Sequence, residues 1–289
     1  MNPVLRPPSE AEWRFCRMLL PRTFCDVAGR EYLVAARDEA PRLVAAASFR
    51  RAGQSVTHLS LHVIPSFRRG GMASQILEYL VRSGAKSVEG AVEITTETEA
   101  AAFCARTGFE RVDALTTVEA GIAGMREYMV RLRSRIVLPA GASIVPLSAA
   151  PMEQAARLHA LYVAQHGELN PWRASLAESS GLHHSPVVLI RGQVAGILLW
   201  EREGDTAVVR SRAVDPLYHG GWVNATLLAE GLDGAWSSGA RRVRFCYTDS
   251  NRDTRKLADR FSSEVVSVLV RYVRTASGGC GLSMADRSG

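Results

Sequence analysis

Lysine is almost missing from this sequence: Lys86 and Lys256 stand alone, and arginine carries nearly all of a positive charge that leaves the chain at a formal +6. That balance suits a polyanionic small ligand or nucleic acid, although arginines on solvated faces need no ligand at all. Nucleic-acid binding through Arg241, Arg242, Arg244, Arg252 and Arg255 would rest on charge alone, because no aromatic stacking signature accompanies them, and it is the disfavoured partner. Cysteine is sparse and odd in number. Cys16, Cys25, Cys104, Cys246 and Cys280 form no CxxC or Cys/His pair at zinc spacing, which excludes a disulfide framework and a structural zinc and leaves reduced thiols as the reading. His159 and His166, seven apart, and His183–His184 have no accompanying Asp, Glu or Cys cluster, so no metal site is expected and these histidines read as solvated or acceptor-lining. Long apolar runs are missing too. The best, Val187 to Trp200, is cut by Arg191 and Gln193, and the segment Met1 to Phe15 carries Arg6, Pro7, Pro8, Glu10 and Glu12. A membrane span and a secretory leader are therefore not expected, and a cytoplasmic protein is.

What is present is apolar material for more than one core: 289 residues, 47% hydrophobic, exceed what one core usually organises. An internal repeat accounts for the length. Val63-Ile64-Pro65 is echoed by Val214-Asp215-Pro216, and each is followed by a Gly-Gly pair, Gly70-Gly71 or Gly220-Gly221, and an apolar helical pattern. Ser83-Gly84-Ala85-Lys86 then matches Ser238-Gly239-Ala240-Arg241, with a strand-like run after each. From the proline to that Gly, the first copy is about one helical turn shorter than the second, so its helix is trimmed.

Periodicity fills in the units. Glu31 to Ala36, Arg42 to Arg50 and Val56 to Ile64 read as an antiparallel meander, with Leu59, Leu61 and Val63 on one face and His58, Ser60 and His62 on the polar other. Ser185 to Ile190, Gln193 to Glu201 and Ala207 to Val214 repeat it. Helices precede each meander, near Glu10 to Leu20 and Pro151 to Gln165, and close each unit, near Glu97 to Arg106 and Arg252 to Phe261. A further helical spacing in Met125, Met129 and Leu132 is broken by Pro139-Ala140-Gly141, which sets the expected boundary: domains at 1–135 and 136–275, and a loose tail at 276–289.

The stretch richest in chemistry is Val63-Ile64-Pro65-Ser66-Phe67-Arg68-Arg69-Gly70-Gly71-Met72-Ala73, a strand that delivers a basic, glycine-rich turn straight into a helix. Such a turn aims free N–H groups and the positive end of a helix dipole at one point, where a pyrophosphate fits. Arg68 or Arg69 adds charge at the rim.

These residues resemble the acetyl-CoA motif of the GNAT N-acetyltransferase superfamily, Arg/Gln-x-x-Gly-x-Gly/Ala, with Arg68, Gly71 and Ala73 in the named positions; Phe103-Cys104-Ala105-Arg106-Thr107-Gly108-Phe109 is similar to the family's Gly-Phe helix exit. The resemblance covers the first half and, more faintly, the second, where alignment on the proline puts Trp222 and Asn224 at the small positions. A Trp there would obstruct a pyrophosphate, whereas a one-residue shift restores a glycine. Asn251 to Phe261 is similar to the family's closing helix, with Ser262 in place of its Gly.

The resemblance implies an α/β (α+β) fold of two tandem GNAT-like domains, each a mixed, largely antiparallel twisted sheet flanked by helices, the second copy degenerate. It implies acetyl-CoA as co-substrate, held by Leu61, His62, Val63, Arg68, Arg69, Gly70, Gly71, Met72, Ala73 and Ser74, and an acetyl group passed to the amine of a small molecule or peptide by a monomer or homodimer. The family often places a Tyr four residues before the Gly of the exit; this chain has Cys104, either an acid for the departing thiolate or a small buried hydrophobe. The second copy has Ala258. Glu93 and His62 are the candidate bases, with Glu97 and Glu99 expected in the first turn of the closing helix. The alternative is a CoA-binding or interaction protein without turnover.

Overall fold

The computed structural model describes residues 4–20, 30–37, 42–93, 98–166, 180–182, 184–218 and 221–275. The chain forms two compact units, Met1–Val112 with Val270–Gly289, and Asp113–Leu269.

In the first unit, β1 (Val4–Arg6), β2 (Arg30–Arg37), β3 (Arg42–Ala52) and β4 (Ser55–Val63) follow one another as antiparallel neighbours, and β5 (Ser87–Glu93) lies parallel beside β4. Alternation of side chains across a strand divides the apolar residues between two faces. Leu33 and Ala35 of β2 join a cluster with Ile76, Leu77 and Leu80 of α2 (Met72–Arg82), while Val34 and Ala36 join Cys16 and Leu20 at α1 (Trp13–Leu19). α3 (Thr98–Arg106) adds Cys104 to the α2 side.

The second unit begins within β6 (Glu110–Gly121). Its sheet runs β6, β11 (Arg242–Thr248), β10 (Thr206–Val214), β9 (Gln193–Glu203), β8 (Pro186–Ile190), β7 (Ala142–Pro146). All these pairings are antiparallel except β10 with β11. Alternate residues of β9 again serve two cores: Leu198 and Trp200 pack with α4 (Ile122–Arg133) and α6 (Trp222–Ser237), and Ile197 and Leu199 with α5 (Met152–His166). Helix α6 lies close on the sheet, since a Cβ at Gly196 would fall 2.8 Å from Val223 Cγ1. α7 (Arg252–Arg260) closes the unit, capped by Asn251, whose side chain accepts from the Thr254 amide.

The expected fold class stands: a mixed, mostly antiparallel twisted sheet flanked by helices in each unit. The units divide differently from the sequence expectation. Met125 and Met129 of α4 are buried in the second unit's core with Val223 and Leu227, so the helix that the sequence expectation assigned to the first domain, 1–135, packs in the second unit, which begins at Asp113. The chain returns to the first unit within β12 (Glu264–Thr275), where Arg271 is ion-paired with Glu89 of β5 at 2.9 Å and Tyr272 packs on the α2 side. The expected tail, 276–289, lies outside the described residues. Helix α2 is shorter than its counterpart, 11 residues against 16 for α6, as the proline-to-glycine spacing predicted.

Candidate functional site

Strand β4 alternates as its sequence predicts, but the face that carries His58 and Ser60 is covered. His58 has φ +54, and the pairing of β4 with β5 steps from Val56–Val88 to Leu59–Gly90, a bulge that re-aims the rest of the strand. His58 and Ser60 are buried, at 6% and 7% exposure, while Leu61, His62 and Val63 are half-buried. The polar face expected for His58 and Ser60 is thus an interior one. Downstream of the bulge, β4 runs on to Val63 and diverges from β5, opening a cleft.

At the end of β4, Pro65–Phe67 forms one 3-10 turn, Arg68 is extended, and Arg69 and Gly71 take positive φ of 65° and 76° before α2 begins at Met72. The first helical hydrogen bond is from the Gln75 amide to the Gly71 carbonyl, 3.0 Å. The amides of Gly70, Gly71, Met72, Ala73 and Ser74 donate to no described residue. A Cβ built on Gly71 would meet nothing within 4 Å, so the space before these amides is open. Free amides at a helix start carry the positive end of the dipole, which is the chemistry of an anion site.

Two arginines flank the turn. Arg68 Nε donates to the Val63 carbonyl at 3.2 Å and its Nη1 lies 3.4 Å from Glu99 Oε2; Arg69 Nη2 lies 3.6 Å from Glu99 Oε1. Glu99 sits in the first turn of α3, as expected, but it is also the counter-ion of both arginines. Glu97 lies outside the described residues.

A cavity of about 1090 Å³ brings together Leu61, His62, Val63, Arg68, Arg69, Gly71, Met72, Ala73 and Ser74, nine of the ten residues anticipated for the cofactor; Gly70 lies in the turn between them. The other wall, Glu99, Ala102, Phe103 and Arg106 of α3 with Phe67, was not anticipated. The signal was available, because 99, 102, 103 and 106 share one helical face.

The candidate catalytic residues separate. His62 lines the cleft. Glu93 ends β5, and its side chain lies outside the described residues. Cys104 does not line the cleft; it is 8% exposed in the α2 core, and burial pushes its thiol up to about 11. The acid role is corrected by that placement, and the small-hydrophobe alternative describes this residue. His159 is likewise buried rather than solvated, with a pKa lowered by burial; His183 and the side chain of His166 lie outside the described residues.

The equivalent turn in the second unit is built otherwise. Asp215 accepts from the Leu217 amide at 2.9 Å, and the Gly221 amide donates to the Tyr218 carbonyl at 3.4 Å. Gly221 caps α6 at φ −101°, outside the left-handed region that Gly71 occupies. The one-residue shift is therefore realised: Trp222 opens the helix and packs on the second unit's core rather than standing in the turn. His219 and Gly220 lie outside the described residues. The basic run of this unit is spoken for, with Arg242 and Arg244 ion-paired to Glu119 and Arg241 stacked 4.4 Å over the Trp236 ring.

Among the described residues there is no group of three or more His, Cys, Asp or Glu that could hold a metal ion, and no helix long and apolar enough to cross a membrane.

Residues 15–129 match the family described as acetyltransferase (GNAT) domain. No curated protein matches the chain in sequence. Among solved structures, a GCN5-related N-acetyltransferase from Sphaerobacter thermophilus superposes with TM-score 0.58 at 15% identity, over 94% of this chain and 95% of that one. A tandem GNAT protein from the clavulanic acid biosynthesis pathway gives TM-score 0.61 at 15% identity, over 96% and 99%. A GCN5-related glucosamine N-acetyltransferase region of a fungal multi-domain β-N-acetylglucosaminidase gives 0.64 at 10% identity, over 94% of this chain and 38% of that one. At these identities the likeness is one of fold: GNAT-type, and in one neighbour tandem.

Proposed function

We propose that the first unit binds acetyl-CoA and transfers its acetyl group to an amine of a small molecule or peptide, as an N-acetyltransferase of the cytoplasm, and that the second unit is a degenerate copy without that activity. The observation that carries this reading is the run of five undonated amides before Gly71's open space, at the mouth of a cleft between diverging parallel strands. Acetyl-CoA would supply the activated acyl group. Its pyrophosphate suits the amides of Gly70 to Ser74 with Arg68 and Arg69 at the rim, and the half-buried Leu61 and Val63 suit the pantetheine arm.

Aminolysis forms a C–N bond and breaks the thioester C–S bond. The amine must lose a proton and the departing thiolate must gain one. His62 lines the cleft and is the described side chain suited to take the amine proton; Glu93, at the end of β5, remains the second candidate. With Cys104 withdrawn into the core, a thiol of ordinary pKa near 8.5 takes its proton from solvent after departure. The same withdrawal favours the rival reading, a CoA-binding protein without turnover.

Isothermal titration of the full chain with acetyl-CoA, followed by thiol release across a panel of small and peptide amines, separates the two. Heat with thiol release for at least one amine supports the transferase. Heat without release from any amine leaves the binding protein, and no heat removes both.

A further inference from the structure

The second unit contains its own cavity, about 360 Å³, where β10 and β11 part. These parallel strands pair only at Thr206–Arg242, Ala207–Val243 and Val208–Arg244; beyond Val208, β10 keeps its antiparallel partner β9 to Val214 and pairs no further with β11. Leu158 and Leu161 of α5, Leu228 and Leu232 of α6 and Phe245 contribute apolar wall. Asp215 and Tyr218 engage the Leu217 and Gly221 amides of the turn at its end. In the register set by the two prolines, Arg212 stands where the first unit has Leu61, and Asn224 where it has Ala73.

Arg212 is the anomaly. Its Nη2 donates to Thr254 Oγ1 at 2.9 Å, and no described carboxylate lies within ion-pair distance. Arg210, two residues earlier on the same strand, is ion-paired to both Glu201 and Glu203. Burial lowers the Arg212 pKa, and Asp253 acts on it only through space. The residue keeps intermediate exposure nonetheless, which is consistent because its solvent contact is with the cavity it lines. Tyr162 and Cys246 face the same space but supply no negative charge, since burial raises them to about 12 and about 11; the one carboxylate among the described lining residues is Asp253, which is not at ion-pair distance from Arg212. Two further polar groups of the wall also lack partners, Ser211 Oγ on a residue 2% exposed and Asn224 Oδ1. A desolvated cation with no carboxylate at ion-pair distance is costly, as is an unsatisfied hydroxyl or amide.

We propose that the second unit is a binding site for a small monocarboxylate with an apolar body, its carboxylate held by Arg212 with Asn224, and its body against the leucines of the wall. A guanidinium presents paired donors that match a carboxylate. The Asn224 amide can turn to offer its N–H, because oxygen and nitrogen are interchangeable in such a side chain. The volume lies at the small end of ligand pockets, against about 1090 Å³ in the first unit, and fits a short acid rather than a nucleotide thioester.

The test uses the full chain and the pair hexanoate and hexanamide, equal in size and unequal in charge. Titration calorimetry is expected to show saturable 1:1 binding of hexanoate and none of hexanamide, and Arg212→Met is expected to weaken hexanoate by about thirtyfold or more. A cooperative circular-dichroism melt certifies that the variant folds. Should it fail to fold, Asn224→Leu takes its place, with binding weakened severalfold and the arginine intact. No saturable binding of any straight-chain acid from acetate to octanoate overturns the proposal. So does equal binding of hexanamide, undiminished binding in the variant, or stoichiometric displacement of hexanoate by pantetheine. None of these readings uses the first unit's cleft, so their outcome is independent of acetyl-CoA binding.

Discussion

The two turns that follow Pro65 and Pro216 begin alike and end differently. Each leaves a strand through one 3-10 turn and enters a helix capped by glycine. In the first unit the backbone turns left-handed at Arg69 and Gly71 and leaves five amides undonated. In the second, Gly221 stays extended and the turn's own Asp215 and Tyr218 take up amides. Among the described residues the difference lies at the capping glycine, whose amide is donated and whose backbone is extended at Gly221 and neither at Gly71. Local polar satisfaction, more than the presence of Gly-Gly, decides whether a basic turn can grip a phosphate.

The largest expected effect tests that contrast directly. Gly71→Glu puts a side chain at φ +76°, which costs a non-glycine residue about 1–2 kcal/mol, and places a carboxylate before the amides. Acetyl-CoA affinity should fall about hundredfold or more, measured by titration calorimetry. Gly221→Glu, at φ −101°, should leave that affinity unchanged. If both variants lose acetyl-CoA equally, or neither does, the two turns are not functionally distinct.

Much of this was legible in the chain. The repeat and the trimmed helix behind the first turn can be read from glycines and a proline, and nine of the residues lining the cleft follow from the family resemblance of the turn. The illegible part shares one physical cause: non-local packing. Alternation put His58 and Ser60 on the face opposite Leu59 and Leu61, but it could not say that this face too would be covered. Met125 and Met129 give a helix its apolar stripe without saying which core receives it, and α6 received it. Arg212 reads as one more surface arginine until the strands beside it part. Cys104 had two readings in sequence, and only burial chose between them.

A smaller effect concerns the arginines at the rim. Arg68 and Arg69 share Glu99 at 3.4 and 3.6 Å, on side chains exposed enough that the pairing contributes little stability. An incoming pyrophosphate competes with that carboxylate. Glu99→Gln should therefore tighten acetyl-CoA by about two- to fivefold at low salt, with the gain shrinking as ionic strength rises. Asp253 holds the matching place in α7, and Asp253→Asn should leave acetyl-CoA affinity unchanged. Weaker binding in Glu99→Gln would mean that the carboxylate positions the arginines rather than occupying them.

The smallest effect on catalysis is expected at Cys104, and there the informative readout is stability. The thiol faces the α2 core rather than the cleft, so Cys104→Ala, which matches Ala258 of the second unit, should change kcat/KM by less than about twofold while costing about 1 kcal/mol of packing. Burial raises the folded-state pKa from 9.0 to about 11. A raised acid pKa means that the folded form holds its proton where the unfolded chain has released it. The stability tied to this group is therefore complete below about pH 9 and is lost as pH rises toward 11, by up to about 1.4 kcal/mol per pH unit. Cys246, also raised to about 11, adds a decline of the same sign in the second unit. Urea melts of the wild type and of Cys104→Ala from pH 7 to 11 should show the alkaline loss reduced in the variant but not abolished, with Cys246, Cys16 and Tyr162, all raised by burial, supplying the remainder. A large fall in kcat/KM together with an unchanged alkaline stability profile would restore Cys104 to the cleft and reverse its assignment to the core.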